Sequence, residues 1–238
     1  MTRFISFVSG KGGVGKTSLA INVSHTLREL GKSVILVDAN IATPNIGLYL
    51  GVLRPGKTLN QFLDGSESLH SVVQEHQTGL HIIYSNPSYS SYINTSPDRV
   101  DRLFSRLNGA ADFVVIDSPS GFGADVHPIL DNSDEVIIVV TPTMASIMEA
   151  MKNIELCRKK GTIVTGAILN MSGNWWSRSK LDSNDVENLL GIPILTVLKS
   201  DKKMATSQHL QEPYVRLYPR SDITRRLKKF AQKIYMGE

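Results

Sequence analysis

Residues 4–17 read FISFVSGKGGVGKT, an apolar run from Phe4 to Ser9 that breaks into a glycine-rich loop and closes on Lys16 and Thr17. The octet from Gly10 to Thr17 fits G-x-x-x-x-G-K-[ST] and lies between a strand-like run and a helical one, where that pattern has a mechanism. Gly10, Gly12, Gly13 and Gly15 free the backbone to aim successive N–H groups at phosphate oxygens. Lys11 and Val14 complete the loop, and Lys16, Thr17 and Ser18 open the following helix, whose N-terminus adds its positive dipole end. The motif assigns Lys16 to the β- and γ-phosphates of a nucleotide and the Thr17 hydroxyl to Mg²⁺.

Working outward, similar apolar runs recur: Ser33 to Asp38, Leu80 to Ser85, Phe113 to Asp117, Glu135 to Thr141, Ile163 to Leu169 and Pro193 to Leu198. They are continuous Val/Ile/Leu stretches rather than apolar–polar alternations, the mark of strands buried on both faces of a parallel sheet. Intervening stretches such as Ser146 to Lys160, stopped by Gly161, read as helices. The alternation predicts an α/β fold: a doubly wound, mostly parallel sheet with helices on both faces, in a single domain over residues 1–238. Such sheets bind ligands at the carboxyl ends of their strands. The segments after Ser9, Asp38, Asp117, Thr141 and Leu169 are therefore expected along one edge.

Composition narrows the chemistry. Charged residues at 20% and hydrophobic ones at 41% are ordinary for a globular chain of 238 residues. Cys157 is the only cysteine, so one chain offers neither a disulfide nor a thiolate-built iron–sulfur or zinc site. The six histidines show no metal-ligand spacing. No run reaches the roughly 18–20 apolar residues of a membrane span. Glycine and lysine arrive too early at the start for a signal peptide, so a cytoplasmic location is expected. From Lys199 to Glu238, ten Lys/Arg stand against four Asp/Glu. That basic region could meet DNA or another anionic surface, or be a solvated helix face.

Asp117 ends the apolar strand FVVID, a Walker B pattern in which the acid helps hold Mg²⁺, and Asp38 likewise closes the second strand. Lys11 turns the loop into K-G-G-x-G-K-[ST], the deviant Walker A motif. On these motifs, in this order over nearly the whole length, the chain resembles the MinD/ParA superfamily, especially the MinD-like proteins of archaea. The resemblance implies an ATP-sandwich homodimer in which Lys11 reaches the partner's nucleotide. It also places Asp38 near the metal and the nucleophilic water. Gly121, in DSPSG, would sense the γ-phosphate through its amide, and Ala42 to Gly51, with Pro44 and Asn45, matches the first switch. Asn170 would contact adenine, and Pro219 and Ser221 a second base-contacting loop. No N-K-x-D guanine signature is present, so ATP is expected. The implied activity is a Mg-ATP-dependent ATPase switch in spatial positioning, engaging a protein partner that the sequence does not identify. Two alternatives stand beside it: a hydrolysis-deficient scaffold, and a ParA-type DNA-segregation ATPase.

Asn40 departs from the pattern, because the family's usual D-x-D reads Asp38-Ala39-Asn40 here. An amide can orient a water but cannot take its proton, so slow hydrolysis is expected. Three readings stay open: a natural slow ATPase, a natural enzyme in which Asp38 covers the role, or an engineered trap. Trp175 and Trp176, flanked by Arg178 and Lys180, form either a binding surface or simple packing. In the last helical segment Ile223, Leu227, Phe230, Ala231 and Ile234 fall on one stripe, which reads as a core helix. Bacterial MinD carries its membrane-targeting helix beyond this element, and the sequence stops at Glu238, so the resemblance implies no attachment of that kind.

Overall fold

The computed structural model describes residues 2–95, 99–173 and 181–237. Among the described residues eight strands form one sheet: β1 (Arg3–Ser9), β2 (Val34–Asp38), β3 (Val73–Glu75), β4 (His81–Ile83), β5 (Phe113–Ser120), β6 (Glu135–Val140), β7 (Val164–Ser172) and β8 (Ile194–Lys199). Their order is β3-β4-β2-β5-β1-β6-β7-β8, parallel throughout except for the antiparallel β3–β4 pair. After β1 the chain runs to one side for β2 and later returns to the other for β6. The crevice at the end of β1 is thus the topological switch point, and the glycine loop begins there.

Continuous apolar strands fill both faces because alternate residues point opposite ways. Ile5 and Phe7 join one core beneath α1 (Lys16–Glu29), together with Ile137 and Val139. Phe4 and Val8 point to the other face, where Val114 and Ile116 pack under α6 (Val100–Leu107), and Ile138 and Val140 under α8 (Met144–Lys160). The first face also carries α2 (Ile46–Leu50), α10 (Lys203–His209), α11 (Tyr214–Leu217) and α12 (Asp222–Met236). The second carries α3 (Leu59–Asp64), α4 (Leu69–Val72), α7 (His127–Asn132) and α9 (Ser183–Leu190), besides α6 and α8. The short, exposed α5 (Tyr89–Asn94) precedes α6.

The expected stripe of α12 is the buried one: Ile223, Leu227, Phe230, Ala231 and Ile234 all face the core. Burying a side chain the size of Leu227 or Phe230 stabilises by about 1.5–3 kcal/mol. Its polar side is partly self-neutralised, Arg225 and Arg226 pairing with Asp222 and Lys228 with Glu29. Among the described residues no helix is long and apolar enough to cross a membrane.

The structure differs from the sequence reading at the sheet's edge. β3, with the sequence VQE, carries no apolar run and forms only by pairing with β4. β4 is confined to His81–Ile83, because Leu80 and Tyr84 are buried but turn their carbonyls to His76 and Leu59. Trp175, Trp176, Arg178 and Lys180 lie outside the described residues.

Candidate functional site

The loop after β1 has the backbone its glycines suggest: Gly13 at φ 78° and Gly15 at φ 95° are left-handed. Gly15 precedes α1 without any side-chain cap, so the first-turn amides of that helix are left for a ligand. Two neighbours wall the loop in. A Cβ at Gly10 would overlap Glu149 on α8, and a Cβ at Gly15 would fall on the amide of Asn170. Asn170, at the carboxyl end of β7, donates through Nδ2 to the Val14 carbonyl (2.8 Å), pinning the loop from the side. Gly121, left-handed at φ 97°, donates its N–H to Ser9 O (2.9 Å).

Asp117 is the focus of the site. Its register with Phe7 on β1 and Asp38 on β2 brings both carboxylates to one level beside the loop. Lys16 is buried and donates to Asp117 Oδ1 (3.2 Å) and the Ser118 carbonyl (2.5 Å), and the Thr17 hydroxyl donates to Asp117 Oδ2 (2.5 Å). Asp38 is fully buried; its Oδ2 accepts from the amides of Asn45 and Ile46 (both 3.0 Å) and its Oδ1 from that of Asn40 (3.3 Å). Burial, and then the Asp117 carboxylate, raise the Asp38 pKa well above the ordinary range, although the three amides pull it down. A hydroxyl and buried carboxylates are hard oxygen donors, the set that suits Mg²⁺. Among the described residues no cluster of three or more His, Cys, Asp or Glu forms an all-protein metal cage. A cation here would share its ligands with phosphates, as Mg²⁺ commonly does.

Gly12 to Ser18, Asn40, Asn45, Ser120 and Asn170 border a cleft of about 880 Å³, whereas Asp38 and Asp117 are fully buried and stand outside its lining. Lys11, next in sequence to the lining residue Gly12, is exposed. Asn40 lines the cleft, yet its Oδ1 accepts from the amide (3.3 Å) and hydroxyl (3.2 Å) of Thr43, so it also caps the turn. Pro219 and Ser221 stand apart from the lining: Pro219 is exposed, and Ser221 is the N-cap of α12, accepting from Thr224 N. Lys199, at the end of β8, and Ser200 and Asp201 just past it line the cleft instead. The strand-end rule already applied to the other strands would have found them. The segment after Thr141 does not reach the cleft; Thr143 there caps α8.

A doubly wound sheet, a glycine loop feeding a helix at the switch point, and a lysine, threonine and aspartate converging beside it define a P-loop nucleotide-binding protein. The family model described as ParA, "NUBPL iron-transfer P-loop NTPase", matches residues 1–235, and the chain belongs to this ParA/MinD family of P-loop NTPases. It is similar to an uncharacterized ATP-binding protein of Methanocaldococcus jannaschii, at 29% identity over 97% of this chain and 86% of that protein. Among solved structures, the septum site-determining protein MinD of Pyrococcus horikoshii, complexed with Mg-ADP, superposes with a TM-score of 0.93 at 29% identity, covering 98% and 96% of the two chains. The cell division ATPase MinD of Pyrococcus furiosus gives 0.94 at 27% identity over 100% of both. Iron transfer through thiolates has no support in this chain, since Cys157 is fully buried in α8 and burial pushes its thiol up to about 11.

Proposed function

We propose that this chain is a MinD-like Mg-ATP switch of one P-loop domain: ATP binding drives homodimerisation, the dimer engages a protein partner in spatial positioning, and slow hydrolysis resets it. The observation that carries this reading is the division of labour between two lysines. Lys16 is buried and engaged within its own chain, whereas Lys11 is exposed, with no ion-pair partner among the described residues. An exposed, unpaired cation in a phosphate loop supports a role toward the nucleotide of a second copy.

Within one chain the loop amides and the α1 N-terminus cradle the phosphates, and Lys16 exchanges its Asp117 contact for β- and γ-phosphate oxygens. Thr17 and Asp117, with Asp38 close by, would hold Mg²⁺, which when bound neutralises charge on the transferring phosphoryl group. Asp38, clamped by three amides, orients the attacking water. Asn40 contributes little to proton transfer, because it is an amide whose oxygen already serves Thr43. The Gly121 amide reads the γ-phosphate only by leaving Ser9 O, and that exchange gives the switch two states. With Nδ2 on Val14, Asn170 keeps Oδ1 for the amino group of adenine, and Lys199 to Asp201 border the base in place of Pro219 and Ser221.

The scaffold alternative rests on Asn40 alone. The DNA-binding one is weakened by the pairing of Arg225, Arg226 and Lys228 with neighbouring acids. The test measures oligomeric state and phosphate release together, with Mg-ATP, Mg-ADP or no nucleotide, for the chain and for Lys11→Ala. A dimer formed only with ATP, lost in Lys11→Ala and dissolving as phosphate appears, supports the switch. A dimer that persists without phosphate release supports the scaffold. A monomer under all three conditions overturns the dimer reading.

A further inference from the structure

Helix α2 has only five residues, Ile46–Leu50, and ends at Gly51 in the left-handed conformation. A helix that short does not hold itself together in water, so its position is set by whatever anchors it. Its first amides sit on Asp38, with Asn45 N and Ile46 N each 3.0 Å from Oδ2. Midway, the Tyr49 hydroxyl donates to Met204 Sδ (3.3 Å). At the far end the Leu50 carbonyl accepts from His76 Nε2 (3.1 Å).

His76 is buried in the turn between β3 and β4. Its Nδ1 accepts the backbone N–H of Thr78 (3.2 Å) and lies 2.9 Å from the Thr78 hydroxyl. An accepting Nδ1 leaves the proton on Nε2, the tautomer that the Leu50 carbonyl needs. The hairpin is in turn registered on β2, Leu36 opposite Ile82 and Val37 opposite Ile83, one residue short of Asp38. Just beyond β4, the Ser85 hydroxyl donates to the Asp38 carbonyl (2.6 Å). Contacts therefore run in a closed circuit from the Asp38 carboxylate through α2 and His76 to β4, and back through Ser85 to the Asp38 backbone.

We propose that His76 is a positioning residue for hydrolysis: it braces the C-terminal end of α2 so that the N-terminal amides hold the Asp38 carboxylate fixed, level with Asp117 on the neighbouring strand. His76 touches no reacting group and acts only through α2. The inference rests on the reading of Asp38 as part of the hydrolytic centre, and the controls below separate the two.

Steady-state ATP turnover with Mg²⁺ is compared for His76→Gln, His76→Asn and His76→Leu, with melting temperature and Mg-ADP affinity measured alongside. A glutamine amide reaches the place of Nε2 and keeps a donor on Leu50 O, whereas an asparagine amide reaches only the place of Nδ1. A displacement of about an ångström at a reacting group costs up to roughly 100-fold, so kcat is expected to fall about tenfold in His76→Asn and His76→Leu. KM and Mg-ADP affinity stay within about twofold, and His76→Gln restores turnover. If Asn restores turnover better than Gln, or if kcat follows melting temperature alone, His76 serves only the hairpin and the proposal is overturned. Should His76→Leu fail to fold, the Gln and Asn pair decides the matter. Asp38→Asn is the control: unchanged turnover there removes the reading of Asp38 and the brace with it. Lost turnover there, with His76→Asn and His76→Leu unaffected, overturns the brace alone.

Discussion

Replacing Asn170 by alanine removes one defined hydrogen bond, from Nδ2 to Val14 O at 2.8 Å, at a residue only 9% exposed. A carbonyl left without its partner in a buried setting costs about 1–3 kcal/mol. Val14 lines a cleft that water can enter, so the lower half of that range, about 1–2 kcal/mol, applies, and roughly 5- to 25-fold in affinity follows at 1.4 kcal/mol per tenfold. The assay is calorimetric titration of Mg-ADP and, separately, of inorganic tripolyphosphate, which has no base. Because the contact is to the phosphate loop, tripolyphosphate is expected to weaken by this factor, and Mg-ADP by at least as much, since a contact of Oδ1 with adenine goes with the same side chain. Asn170→Asp turns the donor into an acceptor facing Val14 O, and its loss should be at least as large. The reasoning is refuted if tripolyphosphate binds both variants as it binds the unaltered chain. Asn170 would then serve the base alone.

Other expectations follow from the same geometry. Asn40→Asp keeps both contacts with Thr43 and adds a proton acceptor, so phosphate release should rise by about tenfold or more; an unchanged rate would mean that Asp38 already fills the role. Gly10→Ala drives a methyl into the backbone and Cβ of Glu149, which cannot swing aside; a loss of about 1–3 kcal/mol in thermal or urea unfolding is expected, together with weakened Mg-ADP binding. Cys157, fully buried with its thiol pushed up to about 11, should react with a thiol reagent at pH 8 only after denaturation, and rapid labelling of the folded chain would contradict its placement. His25 and His76 are held below 6.5, chiefly by burial. Their contribution to stability is complete above pH 6.5 and is lost as pH falls through their lower folded values, because the unfolded chain takes up protons first. Urea midpoints between pH 8 and 5.5 should therefore fall further, relative to its own value at pH 8, for the chain than for the double variant His25→Gln, His76→Gln; equal slopes would rule this out.

The phosphate loop was legible because its chemistry is local: spacing, glycine content and flanking periodicity all lie within residues 4–29. The parallel sheet was legible from its continuous apolar strands, and α12 from its stripe. β3 was not, because VQE has no intrinsic strand signature and its pairing is supplied by β4. The N-cap role of Ser221 is legible locally, in a serine followed three residues later by Thr224 at a helix start, whereas a base contact there rests on the family pattern alone. The link from Asn170 to Val14 spans 156 positions, and that from His76 to Leu50 joins a turn to a helix end; neither leaves a mark in either segment alone.

The place of β1 in the sheet has a consequence for how the protein is made. It precedes the other seven strands in chain order, yet its neighbours are β5 and β6, more than a hundred residues downstream, and its loop is finally pinned by Asn170 on β7. Such long-range pairing is slow to form and leaves apolar edges waiting. A growing chain thus carries residues 10–17 long before it can shape them into a phosphate cradle, which waits for Asn170 to emerge. Nucleotide capture is therefore a late event in biosynthesis, and a ribosome-stalled fragment ending before β7 should be retained poorly on an immobilised nucleotide, whatever its motif.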